Sequence, residues 1–511
     1  MEGLYALGRS FAGFMSFWPI VYTLGATLVG ILVGCMPGLS ATLCIALMTT
    51  LTIKMQPNEA ILILICAYVG TIYGGSRTAI LLNIPGTAAN AAACLDGYAL
   101  AQQGQAGRAM GIATTGSVVG SLFGVICLAL LTPTLGEVAL SFGAFEFFWL
   151  ALFGVMMSGS IAGSDPLKGW LMGVLGLFVT LIGQDGIHAY DRFTFGWSEL
   201  SGGISLIPAL VGAFGFCEIL TVLSEPIKKP IVNSVDSVLP RFMDVIKYWK
   251  TILRSGVIGV YIGILPGVGE DMAAWSSYAA ARRASKEKEL YGKGSIEGLM
   301  AAETGDNASI PGGIIPALAL AIPGSAPSAV LMAAMIIHGV QPGPMLMVNS
   351  PQFVYDVVAM TTLATLGMLF FGLFMVRPLL KIIQVPRSYI MPIIFVLCTV
   401  GAFAIASRLF DIWLMVTIGA CGFVLRRQNY PIPPFVLGLV LGDILDKSLR
   451  RGLQITNGDF TPFFTRPVCA LLAAITLFTV LMYIPPVNRL AHALKDAVFA
   501  RLRAMLGFQG S

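Results

Sequence analysis

Apolar residues run along this chain in blocks the length of a bilayer crossing. A spanning helix needs about 20 apolar residues, and runs of that kind cover 109–133, 143–163, 167–184, 202–222, 353–376, 388–407, 409–425 and 466–486. Three further regions, 17–53, 59–95 and 255–340, are equally apolar but are broken by Pro and Gly. The stretch 431–446, which opens on Pro431, Pro433 and Pro434, is intermediate. The pattern predicts an all-α polytopic membrane protein with about 10–12 transmembrane helices, some of them Pro/Gly-broken or re-entrant.

The polar punctuation between the blocks predicts the topology. Lys and Arg gather in short cytoplasmic loops. The loop 223–254 holds Lys228, Lys229, Arg241, Lys247, Lys250 and Arg254, and the loop 282–293 holds Arg282, Arg283, Lys286, Lys288 and Lys293. With both on one side, the apolar segment 255–281 cannot cross once. It is expected to dip in and return as a re-entrant hairpin turning near Pro266-Gly267, which protein or a wet cavity must then surround. By parity Arg108 and Lys168 share the cytoplasmic side, and so do Arg377, Lys381, Arg387, Arg426 and Arg427. Glu137, Asp185, Asp191 and Glu199 fall outside. One conflict is left. Lys447, Arg450 and Arg451 are separated by a single span from the tail with Arg489, Lys495, Arg501 and Arg503, so one cluster must take the unfavoured side.

Composition closes off the soluble classes. Of 511 residues, 56% are hydrophobic and only 11% are Asp, Glu, Lys or Arg, against about a quarter charged in a soluble domain. The formal charge of +5 is spread over loops, which argues against nucleic acid. The nine Cys include no CxxC pair and read as small buried hydrophobes. Only Arg9 precedes the apolar run 17–36 and no convincing small-residue cleavage site accompanies it, so a first membrane segment is expected there and not a signal peptide. The sequence has no GxSxG, HExxH or Walker A motif, and the lack of the last argues against an ATP-driven pump.

Within the broken regions the chain matches itself. Residues 34–38 read Gly-Cys-Met-Pro-Gly and residues 263–267 read Gly-Ile-Leu-Pro-Gly, 229 positions later. Residues 74–86 read GGSRTAILLNIPG and residues 312–324 read GGIIPALALAIPG, 238 positions later. The reading is therefore two internal repeats, expected to be inverted: 1–222 as the first unit, 223–254 as a basic cytoplasmic loop, 255–486 as the second unit and 487–511 as a basic C-terminal tail. Paired Pro/Gly-interrupted apolar segments are the best sequence pointer to a secondary transporter's site. A broken helix leaves N–H groups free at one half-helix start, which suit an anion such as a carboxylate, and C=O groups free at the other half's end, which suit a small cation.

The stretches GILVGCMPGLSATL (30–43), YGGSRTAILLNIPGTAANAAACLDGYALAQQGQAGRAMG (73–111), GILPGVGEDMAAWSSYA (263–279), YGKGSIEGLMAAETGDNAS (291–309) and IPGSAPSAVLMAAMIIHGVQPGP (322–344) resemble the large membrane subunit of the tripartite tricarboxylate transporter family, with likeness over about residues 20–470. The resemblance implies uptake of a carboxylate across the bacterial inner membrane, driven by a Na⁺ or H⁺ gradient. It implies a small membrane subunit of about four spans and a periplasmic solute-binding protein as partners, with no cofactor and no ATPase. Three positions depart from the family's habit: Arg77, where a small residue or Thr is usual; Thr87, where an acidic residue is frequent; and Glu270, where Gly or Ala is commoner.

Candidate substrate- and ion-binding residues follow from both readings. Pro37, Gly38, Ser40 and Thr42, with Pro266 and Gly267, are expected at two hairpin tips, presenting backbone and hydroxyls; a simple Pro kink is the plainer alternative. Gly74, Gly75, Ser76, Asn83, Pro85, Gly86, Thr87 and Asn90 form the first core motif, and Pro323, Gly324 and Ser325 belong to the second; interhelical packing is the alternative for each. Arg77 is expected to grip a carboxylate or to snorkel to an interface. Glu270, Asp271, Glu303, Asp306, Asn307 and Ser309 are expected to serve a cation or carry a proton, with Na⁺ at Asp271, Asp306 and Asn307, or else to be surface loop groups. Asp96 is expected to cap a loop and not to be a ligand. A polytopic intramembrane enzyme and a passive anion channel are the competing classes; the first wants clustered His, Cys or carboxylates, and the candidate core holds one His, His338.

Overall fold

The interruptions divide the apolar blocks into helices that stop inside the bundle. The computed structural model describes residues 2–36, 38–161, 165–186, 189–224, 242–375 and 390–482. Helix α1 (Glu2–Phe14) is followed by α2 (Phe17–Gly34), α3 (Ala41–Thr52), α4 (Pro57–Leu82), α5 (Ala91–Gln102) and α6 (Ala106–Ala139). Then come α7 (Ala144–Ile161), α8 (Pro166–Thr180) and α9 (Leu206–Ser224), the last containing a π-turn at Val211–Phe216. The second set runs α10 (Trp249–Ile264), α11 (Gly269–Ala284), α12 (Ile296–Leu320), α13 (Ala326–Ile337) and α14 (Pro351–Phe374). Helices α15 (Met391–Ala406), α16 (Leu409–Arg427), α17 (Ile432–Ile455) and α18 (Pro467–Met482) close the described chain. Among the described residues, six helices are long and apolar enough to cross a membrane, and six shorter ones are also apolar. The fold is an all-α polytopic membrane fold, with one two-residue strand pair among the described residues, Gly183–Gln184 with Asp191–Arg192.

Helices α10 and α11 form the hairpin expected from charge alone. Ser277 Oγ donates to the Ser255 carbonyl at 3.4 Å, and the two residues are equidistant from Pro266. The outer ends of the arms meet through Lys247 and Glu287 at 2.9 Å. The turn uses Gly267 and Gly269, both at positive φ. Helices α2 and α3 make the matching hairpin in the first set. Gly34 on one arm abuts the Thr71 carbonyl, and Cys44 on the other reaches the Thr71 side chain. This hairpin opens beside the start of α4, where Trp18 and Pro19 share a surface pocket with Asn58 and Glu59. Helix α4 is antiparallel to α6 (Tyr73 by Thr114, Arg77 by Met110), and α6 is parallel to α12 (Gly116 by Met300, Gly124 by Ala308). This opening therefore lies at the opposite end from that of α10 and α11, which precede the start of α12. The two copies are thus inverted with respect to each other. Pro37 lies outside the described residues.

Small residues let these pieces approach closely, as helices do where no hydrophobic effect drives them together. A Cβ added to Gly34 would sit 2.0 Å from the Thr71 carbonyl, and one on Gly263 would sit 2.5 Å from the Ser309 carbonyl. Residues 71 and 309 are related by the repeat's own offset, so the packing repeats with the sequence. The halves are interlaced. Helix α6 lies along α12, with Gly120 facing the Thr304 carbonyl, and α14 lies along α4, with Gly372 facing the Tyr73 hydroxyl.

Away from the matched Pro-Gly segments, α8 and α17 run parallel, with Gly438 facing the Gly173 carbonyl and Gly442 facing Thr180. At their starts Lys168 donates to the Gln428 carbonyl at 2.8 Å. At their far ends Arg450 pairs with Asp185 at 2.7 Å and Arg192 with Asp446 at 3.0 Å. Lys447 and Arg450 therefore lie at the end opposite Lys168 and Arg426. Neighbouring carboxylates offset the charge of this cluster.

The helices also differ from the apolar runs in extent. Helix α6 continues through Pro133 to Ala139, so Glu137 is helical and not in a loop. The block that opens on Pro431 becomes a long helix, Ile432–Ile455, because Pro at the first positions removes only N–H groups that have no intrahelical partner.

Candidate functional site

Each repeat places one break beside one hairpin tip, and the two breaks are built alike. Helix α4 ends on Asn83 and α12 ends beside Ala321, both left-handed with φ 56°. The chain then folds back so that the Gly86 N–H donates to the Gly75 carbonyl at 3.2 Å, and the Gly324 N–H donates to the Gly313 carbonyl at 3.4 Å. Neither fold-back tolerates a side chain. A Cβ on Gly86 would lie 2.0 Å from the Gly34 carbonyl, and one on Gly324 would lie 2.0 Å from the Gly263 carbonyl. After Thr87 the chain passes through a single 3₁₀ turn, Ala88–Asn90, into α5. After its counterpart Ser325, a capping box with Ser328 starts α13. The interruptions are thus displaced half-helices and not kinks in continuous ones.

A buried polar network joins the breaks. Glu303 accepts from Ser76 at 2.8 Å and from Ser117 at 2.9 Å. Asn90 Nδ2 lies 3.0 Å from Ser76 Oγ, 3.1 Å from the Ile72 carbonyl and 3.1 Å from Asp306 Oδ2, and Thr87 donates to Asn90 Oδ1 at 2.6 Å. On the second copy's side Glu270 accepts from Tyr68 and, at 2.9 Å, from Ser325. Asp271, half-buried, and Glu270 both act electrostatically on Asp306, as does Glu303. Asp306 Oδ1 and Asn307 Oδ1 are buried with no hydrogen-bond partner among the described residues. Helix α12 also contains Pro311 and Pro316. Proline has no N–H, so the carbonyls four residues back, Asn307 and Gly312, lose their helical donor. The region therefore carries four carboxyl groups and oxygens without donors, while a single guanidinium, Arg77, acts on Glu303. That excess of negative charge needs protons or a cation to balance it in a low-dielectric interior. Among the described residues no three His, Cys, Asp or Glu side chains could share a metal ion, so any cation here would rely on neutral oxygens as well.

Two cavities lie at the breaks, opening at opposite ends. One, of about 430 Å³, is lined by Gly38 and Ser40 from the first hairpin, by Pro85, Gly86 and Thr87, and by Glu218, Arg426 and Tyr430 from beyond the matched segments. The other, of about 700 Å³, is lined by Ala321 from the second break and by Gln184, Ser201, Gln341 and Asp443.

Several candidates sit elsewhere than expected. Arg77 is wholly buried, so it does not snorkel, and it does not line either cavity. Its Nη1 reaches the Met110 carbonyl at 3.1 Å and Thr114 at 3.3 Å, and its guanidinium stacks 4.1 Å from the Tyr73 ring centroid. Thr42 is buried within α3 and also lines neither cavity. Ser40 caps α3, accepting from Leu43 N at 3.2 Å. Asn83 is exposed and serves through its backbone conformation. Ser309 donates to the Asp306 carbonyl within its own helix at 2.6 Å. Asp96 accepts from the backbone of Gly292, Gly294 and Ser295 and from the Tyr278 hydroxyl, clamping the loop before α12 to α5. Glu270, Glu303 and Asp306 are buried in the bundle, not in surface loops.

The sequence matches the family model described as the tripartite tricarboxylate transporter TctA family over residues 20–437. The chain belongs to that family. An uncharacterised 52.8 kDa protein of the TAR-I ttuC' 3' region of Agrobacterium vitis is 34% identical over 481 residues, covering 94% of this chain and 95% of the relative. A second uncharacterised protein, from the TAR-II ttuC' 3' region of the same organism, is 31% identical over 241 residues, covering 47% of this chain and 98% of its own length. No solved structure matches.

As a TctA member the chain is a multi-pass membrane subunit of a transporter. The residues that sequence reading passed over in this TctA chain are Tyr68, Ser117, Ser328, Glu218 and Arg426. Two of them could have been found. Tyr68 occupies in the first repeat the position of Asp306 in the second, and Ser328 answers to Asn90, so laying the copies over one another exposes both.

Proposed function

We propose that the chain is the membrane-translocating subunit of a secondary, cation-coupled importer of carboxylates, tricarboxylates or related acids, in the bacterial inner membrane. A periplasmic solute-binding protein would deliver the anion, and a small membrane subunit of about four spans would complete the complex. The observation that carries the reading is the matched pair of breaks, each with its own cavity, opening at opposite ends of interlaced inverted copies. That geometry suits alternating exposure of one site. The half-helix starts at Thr87 and Ser325 offer N–H groups to an anion. The surplus carboxyl groups and the donor-free oxygens of α12 suit Na⁺ or H⁺ as the driving ion, with Asp306 and Asn307 as the first candidates and Asp271 beside them.

The test is uptake of radiolabelled citrate, tricarballylate or succinate into vesicles holding the chain with its partners, with and without a Na⁺ or H⁺ gradient. Concentrative uptake that collapses with one of the gradients is the expected result. Uptake indifferent to both gradients would mark a passive channel, and chemical conversion of the labelled acid would mark an enzyme.

A further inference from the structure

The cavity at the first break contains an ion pair that lies outside the matched Pro-Gly segments of both repeats. Arg426 ends α16 and Glu218 lies near the end of α9, and the two side chains are in direct contact at the cavity wall. Their neighbourhood is built tightly. Gly212 faces the Met415 carbonyl and Gly419 faces the Gly212 carbonyl, so α9 and α16 touch backbone to backbone. The π-turn Val211–Phe216 lies just before Glu218. Such a turn holds one residue more than a helical turn, shifting the face on which the following residues project. Ala213 and Phe214 of this turn also line the cavity. A further cation stands close by: Lys168 lies 5.0 Å from the ring of Tyr430, another lining residue. The exposures of the pair are unequal: the Arg426 side chain is 44% exposed and that of Glu218 is 6%. An anion entering this cavity therefore finds far more of the guanidinium than of the carboxylate.

We infer that Arg426 binds a carboxylate of the transported anion here and that Glu218 occupies the guanidinium while the cavity is empty. The inference rests on the transport reading above and names the residue that recognises the substrate at this opening. The two partners of Arg426 are chemically the same group, so exchanging one for the other preserves the paired guanidinium. The helix start at Gly86 and Thr87 and the hydroxyl of Ser40 line the same cavity and can take a second carboxylate of a polyacid. A volume of about 430 Å³ falls in the range of small-molecule sites.

The test is the concentration dependence of uptake in the complete complex, using whichever of citrate, tricarballylate or succinate the wild type concentrates. Arg426→Gln is expected to raise KM by about tenfold or more, the loss of one charge-assisted carboxylate contact, and Arg426→Lys by less. Glu218→Gln is expected to lower KM, because the internal competitor is gone. The double variant is expected to match Arg426→Gln alone, since the effect of Glu218 on substrate binding runs through the guanidinium it occupies. The reversed pair, Glu218→Arg with Arg426→Glu, keeps the ion pair and supports insertion, yet its KM is expected to stay high. A rise of KM in Glu218→Gln equal to that in Arg426→Gln, an unchanged KM in both, or wild-type KM in the reversed pair would overturn the assignment. Failure of the wild type to concentrate any of the three acids would instead overturn the transport reading itself.

Discussion

At the scale of single residues, the site depends on atoms that leave no room. The Gly86 and Gly324 backbones lie against the carbonyls of Gly34 and Gly263, and any side chain would push the break away from its hairpin. Gly86→Val and Gly324→Val are expected to abolish uptake while the chain still reaches the membrane, checked by uptake beside membrane fractionation. Wild-type uptake in both would remove the breaks from the mechanism. These glycines were legible in the sequence because a Pro-Gly pair interrupts the hydrogen bonding of any helix that an apolar run would otherwise form. Arg77 stood out in the sequence as an intramembrane charge, but its surroundings did not. Its Nη1 meets the Met110 carbonyl and Thr114, and the guanidinium stacks on Tyr73 and acts on Glu303. Met110, Thr114 and Glu303 lie too far off in sequence for any spacing to announce them. Tyr68 and Glu270 are 202 positions apart, so their contact exists only once the copies have folded onto each other.

At the scale of elements, the two breaks have one backbone but different side chains. The left-handed position is Asn in the first copy and Ala in the second. Asn takes that conformation readily, whereas a Cβ there costs about 1–2 kcal/mol. Ala321→Gly is therefore expected to stabilise the protein by about 1 kcal/mol, read as a raised melting midpoint in detergent; a lowered midpoint would mean the conformation carries no strain. The hairpin α10–α11 was derivable before any coordinates, because two basic flanks on one side and an odd apolar segment admit no other path. The hairpin α2–α3 was harder to read, since its flanks offer only Arg9 and Lys54. The π-turn of α9 had no sequence signal, because a uniformly apolar segment has the same pattern with or without one extra residue.

At the scale of the whole molecule, inversion gives the two cavities opposite mouths. A cysteine replacing Ala88 and a cysteine replacing Gln341, each in a background lacking reactive native cysteines, are expected to react with a membrane-impermeant maleimide from opposite faces of oriented vesicles. Labelling of both from one face would contradict the inverted arrangement. Interlacing also explains why the sequence division at 222 and 255 does not correspond to two lobes. Helix α6 belongs to the first copy by sequence but lies along α12 of the second, and α14 lies along α4. Periodicity reports which residues avoid water, but in a chain almost all of whose helices avoid it, neighbours are chosen by fit between small residues, which hydropathy does not record.

The ion pairs between α17 and the strand pair Gly183–Gln184 with Asp191–Arg192 bear on how the protein is made. Arg450 belongs to a cluster that a translocation machine would ordinarily retain. Asp185 is synthesised some 265 residues earlier, so the acidic partner leaves the ribosome well before the basic one. The late helix therefore finds its counter-charges on a segment made much earlier. A variant lacking Asp185 and Arg192 is expected to weaken the seating of α17, read as increased protease sensitivity of the chain after residue 430; unchanged sensitivity would mean these pairs do not hold it.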